Sequence, residues 1–179
     1  MIDTFTDKAK TFLQAHSENM KLVERALYFL AIANIALLGF SDVEASVGLA
    51  LAFSFLFVFF SFCFWWSHST LEVWNILYED INWARHKETA ANKFTTKNDY
   101  VSGFSATCLA LCIFSSASFL FLGLLDQFTS EVFLPDLSFK MVLLLFVFTT
   151  AGLFALWFHS YLQTTKSLED YKKAKVGDG

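Results

Sequence analysis

The sequence predicts an all-α integral membrane protein: four transmembrane helices in two tandem antiparallel hairpins, the second helix extended into the cytoplasm. Three observations point there. Of the 179 residues, 55% are hydrophobic and 23 are Phe, gathered into long runs that a soluble domain of this size does not carry. The links between the runs are short and polar. All but Lys140 of the 13 Lys and Arg fall on one side of the runs, and the positive-inside rule assigns that side to the cytoplasm. The expected protein is multi-pass, with both termini cytoplasmic, in a bacterial inner membrane or its equivalent.

Residues 1–20 place Ile2, Phe5, Ala9, Phe12 and Leu13 at helical spacing, with His16 on the same side. They predict an amphipathic cytoplasmic N-terminal helix, on the membrane surface or on the protein's own cytoplasmic helices. No cleavable signal peptide is expected, because about 20 polar residues precede the first apolar run.

Residues 21–66 form the first predicted hairpin. Its first span, residues 22–40, comes close to the roughly 20 residues that cross a 30 Å hydrocarbon core. Glu24 and Arg25 then sit at the cytoplasmic boundary, and Asn34 lies deep in the span. A short link, residues 41–44, leads to the second span, residues 45–66, which is free of charge and rich in Phe.

Residues 67–100 are read as a cytoplasmic helical extension and a turn. Leu71, Trp74, Tyr78 and Ile81 recur every three or four residues and form the expected partner-binding face. With no Gly or Pro to interrupt it, one helix is expected from Glu44 to Ala91, and the turn at residues 92–100.

Residues 101–162 form the second predicted hairpin. Its first span, residues 101–125, carries stripes of small residues, Ser105, Cys112, Ser116 and Gly123 on one of them. Small residues let helices approach in lipid, so this span is expected at the centre of the bundle. Residues 141–158 make the last span, and 163–179 a cytoplasmic tail whose first part stays helical.

The halves read as an internal duplication. Trp66, His68, Ser69 and Leu71 match Trp157, His159, Ser160 and Leu162 where each even-numbered span leaves the membrane. Leu38, Gly39 and Asp42 match Leu122, Gly123 and Asp126 at the opposite ends. Two spans separate the copies, which gives them the same orientation about an axis along the membrane normal.

Composition narrows the function. Net charge is −4, so no basic surface serves nucleic acid. Cys63, Cys108 and Cys112 all lie in apolar runs, where a thiol acts as a small packing residue. No catalytic set, phosphate-cradling Gly loop or intramembrane carboxylate cluster is present, and no cofactor or metal is expected. His68 and His159 are weak cofactor-binding candidates, since paired imidazoles can hold a metal or haem or titrate near neutrality. The plainer reading makes each an interfacial residue beside Trp. Glu72, Glu79 and Asp80, with His68 and His86, read as a solvated charged face rather than a metal set.

The polar candidates are therefore Glu24, Arg25, Asn34, His68 and His159. Partners beyond the lipid bilayer are expected to be further copies of the chain or another membrane protein. The leading expectation is a non-enzymatic oligomeric module: a small channel, a pore-forming effector or a regulatory subunit acting through its cytoplasmic helices. An accessory or immunity-like protein, and a His-based metal or haem redox protein, are the alternatives.

Overall fold

The computed structural model describes residues 7–38, 45–84, 88–128 and 139–176. Each segment is one helix: α1 (Asp7–Leu38), α2 (Ala45–Ala84), α3 (Glu88–Phe128) and α4 (Phe139–Val176). The predicted all-helical class holds. Three of these helices, α2, α3 and α4, are long and apolar enough to cross a membrane. In α1, Lys21, Glu24 and Arg25 break into the apolar part, and residues 39–40, on which its predicted span also drew, lie outside the described residues.

Two boundaries differ from the sequence reading. The N-terminal amphipathic segment is not a separate helix, because α1 continues through residue 20 without a break. The long helix expected up to Ala91 ends at Ala84, and α3 begins at Glu88. The expected turn at residues 92–100 is therefore helical. Asn and Asp favour turns because they bond local backbone, but here Asn98 and Asp99 bond other helices instead. Asn75 Nδ2 donates to Asp99 Oδ1 at 2.9 Å, and Ser167 Oγ to Asn98 Oδ1 at 2.7 Å.

Contact order along the helices gives their directions. From α2 to α3, Ser54 meets Ser116, His68 meets Ser102 and Asn75 meets Asp99, so the pair is antiparallel. From α2 to α4, Phe53 meets Phe146, Trp66 meets Tyr161 and Trp74 meets Tyr171, so that pair is parallel. The central helix is α2, not α3 as the small-residue stripes suggested. It packs against all three others, and half of its apolar stretch is buried, against 33% for α3 and 0% for α4.

One core joins α1, α2 and α3 through Leu30, Leu37, Val47, Leu51, Val58 and Leu120. A second gathers Phe60, Phe64, Leu109 and Cys112, with Leu153 and Trp157 reaching in from α4. Phe119 of α3 stacks on both Phe53 and Phe57 of α2, so part of the Phe content fills gaps between helices. Gly123 supplies the closest approach among the glycines described. A Cβ there would stand 3.3 Å from the Ala50 Cβ, whereas Gly48, Gly103 and Gly152 face open space.

Candidate functional site

The densest polar cluster lies where α2, α3 and α4 continue past their apolar stretches. Its centre is Ser102 on α3. The Ser102 hydroxyl donates a short hydrogen bond to the Glu72 carboxylate. It therefore accepts from His68 Nδ1, 2.9 Å away. That order assigns the Nδ1 proton to His68, since a neutral imidazole donates from one nitrogen only.

The cluster extends in both directions. The His16 ring of α1 meets the His68 ring edge-on, with centroids 6.3 Å apart, and His16 Nε2 lies 3.4 Å from Ser69 Oγ. Asn75 binds Asp99, whose carboxylate lies within the electrostatic reach of Glu72. Ser105 of α3 and Ser160 of α4 are 2.6 Å apart and fully buried. Ser105 also donates to the Val101 carbonyl, so the proton between the two hydroxyls belongs to Ser160. Deeper in the bundle, Ser54 donates to the Ser116 carbonyl at 2.9 Å. The Ser stripe of α3 is thus paired with groups on α2 and α4 and does not line an internal channel at these positions.

Chemically, the arrangement is a clasp. In a nucleophilic triad the imidazole stands between hydroxyl and carboxylate. Here the hydroxyl stands between imidazole and carboxylate, so neither partner draws the serine proton toward the histidine. What the order achieves is the satisfaction of three polar groups between two helices, where an unmade bond is costly.

The residues named from sequence fall in different places. His68 is half-buried in the clasp. His159, its counterpart in the proposed repeat, is exposed and rests against the Phe104 ring at 6.1 Å. The imidazole that meets His68 is that of His16. Among the described residues, no three His, Cys, Asp or Glu gather to hold a metal, and His86 lies outside them. Asn34 is fully buried. Its Nδ2 donates to the Leu30 carbonyl of its own helix at 2.8 Å, and its Oδ1 has no partner.

Glu24 and Arg25 part company: Glu24 is half-buried and lines a groove between α1 and α2, while Arg25 is exposed. On the expected partner-binding face, Leu71 is fully buried and Trp74 packs on Tyr171 of α4 at 4.6 Å. The chain's own helices occupy those two. Tyr78 is half-buried, and the Ile81 side chain lies outside the described residues.

Sequence reasoning missed Ser102, Glu72, Asn75, Asn98 and Asp99. Asp99 and Ser102 are three apart, which puts them on one helical face, but that signal exists only once residues 92–100 are taken as helix. No family model matches the chain, and neither a curated protein nor a solved structure matches it.

Proposed function

We propose that this chain is an integral membrane module of four spans, non-enzymatic, that acts by association through its spans and cytoplasmic helices. The four spans comprise two antiparallel hairpins, with α1 completing the set begun by α2, α3 and α4. The shared Trp-x-His-Ser-x-Leu exits are read as traces of a duplication whose copies have diverged. The polar ends of the helices, with nearly all the basic residues, face the cytoplasm.

One observation carries the reading. Not one residue in the apolar stretch of α4 is buried, although that stretch is among the most apolar in the chain. Large side chains such as Phe148 (67% exposed) and Phe154 (52% exposed) stand outward. An apolar surface of this extent marks a lipid or protein contact. Inside the bundle Ser54 bonds Ser116 and Ser105 bonds Ser160, so a conduction path would have to form between protomers. This favours an oligomeric channel, pore-forming effector or regulatory subunit over a pore within one chain.

Native mass spectrometry in mild detergent, paired with ion flux in liposomes, tests the proposal. A closed oligomer with flux supports a channel or pore, and an oligomer without flux supports a regulatory subunit. A monomer that conducts nothing and recruits no membrane partner overturns it. The accessory-protein reading predicts a monomer that co-purifies with one membrane protein.

A further inference from the structure

The groove between α1 and α2 has a volume of about 410 Å³, within the roughly 300–1,000 Å³ of small-ligand sites. Its walls include Trp65 and Val73, and its polar edge is made by His16, Lys21, Glu24 and Ser69. Lys21 and Glu24 carry opposite charges one helical turn apart, yet neither is ion-paired among the described residues. An unpaired cation and an unpaired anion beside one cavity suit a ligand that brings one charge of each sign.

The depth of the groove narrows the ligand. Trp65 ends the apolar part of α2, where aromatic residues sit at headgroup level. One turn further into the apolar part of α1, Tyr28 meets Phe62 of α2 with centroids 5.7 Å apart. Tyr28 is 53% exposed, so the two rings continue the groove as an apolar track wide open to the outside.

We propose that this groove binds the headgroup of a zwitterionic phospholipid, phosphoethanolamine. Lys21 takes the phosphate, Glu24 takes the ammonium, and His16 and Ser69 supply further polar contacts. An acyl chain lies along Tyr28 and Phe62. The inference rests on the membrane reading above, because the ligand must come from the bilayer.

The test uses the full chain in nanodiscs made with equal amounts of phosphatidylethanolamine and phosphatidylglycerol, released for native mass spectrometry. Retained lipid is expected to be enriched in phosphatidylethanolamine. Lys21→Ala and Glu24→Gln should each cut that retention about tenfold, the loss of one charge-assisted contact, while Lys10→Ala, outside the groove, leaves it unchanged. Glu24→Lys should reverse the preference toward phosphatidylglycerol, an outcome that misfolding does not produce. Equal retention of both lipids by the unaltered chain, or retention unaffected by Lys21→Ala and Glu24→Gln, overturns the site. Displacement of the lipid by equimolar soluble phosphoethanolamine overturns the bilayer as its source. Release of the chain from membranes by alkaline carbonate overturns the membrane reading itself, whereas a chain that stays in the pellet without lipid preference overturns the headgroup site alone.

Discussion

His68 and Glu72 are joined through a third side chain, the Ser102 hydroxyl, which accepts from the imidazole and donates to the carboxylate. One small group on α3 thereby ties two residues a single turn apart on α2. Ser102→Ala is expected to leave both partners without their bond and to cost about 1–3 kcal/mol. Ser102→Thr keeps the hydroxyl and should retain most of the stability. Thermal unfolding in detergent checks both, and equal melting of Ala and Thr variants would show that the clasp contributes nothing.

At the other end of the same helix pair, Gly123 sets how closely α3 approaches α2. Gly123→Leu is expected to push the helices apart at Ala50 and Val47 and to destabilise by about 1–3 kcal/mol, as overpacking does. Gly152→Ala faces open space and should be neutral or mildly stabilising, by up to about 1 kcal/mol from helix propensity. A Gly123→Leu variant as stable as the parent chain would refute the close approach.

The buried serines offer a measurable coupling. Ser54 and Ser116 exchange a hydrogen bond between α2 and α3, and interhelical bonds in membrane proteins average about 0.6 kcal/mol in double-mutant cycles. A cycle on Ser54→Ala and Ser116→Ala is expected near that value. Coupling of zero would mean that the serines act only as small packing residues.

Trp74 and Tyr171 hold the C-terminal part of α4 against α2. Trp74→Ala should free this part of the helix, at a cost of about 2–3 kcal/mol for a partly buried aromatic contact. Limited proteolysis is expected to cut after the cluster Lys172 and Lys173 faster in the variant. Unchanged cleavage would show that Tyr171 is anchored by other residues.

The outward face of α4 tests the membrane reading directly. Phe148→Asp puts a carboxylate in the middle of the exposed apolar stretch, where insertion costs about 2.5–3.5 kcal/mol. Accumulation of the variant in the membrane fraction is expected to drop several-fold. If it accumulates normally and is released by mild washing, α4 does not lie in lipid.

Much of the fold was legible because apolar length is a local signal. The runs that make α2, α3 and α4 could be seen one residue type at a time. The order of the helices could not. Small residues placed α3 at the centre, but α2 holds that position because it carries both Ser54, His68, Glu72 and Asn75, which bond α3, and Phe53, Trp66 and Trp74, which meet α4. The clasp was hidden for a related reason. Glu72 looks like one member of a solvated acidic face, and only Ser102 on a helix that begins at Glu88 shows that it turns inward. His68 was found from its motif, but its ring partner, His16, lies 53 positions upstream of Ser69, its hydrogen-bond partner, beyond any local pattern. Glu24 was visible as an ionisable residue at an apolar boundary, and the groove that gives it a role needed α2 beside it.

The 40 residues of α2 make a rod about 60 Å long at 1.5 Å per residue. That is roughly twice the thickness of a hydrocarbon core. Because α1, α3 and α4 all bear on it, α2 cannot tilt or slide as a rod without disturbing its contacts with all three.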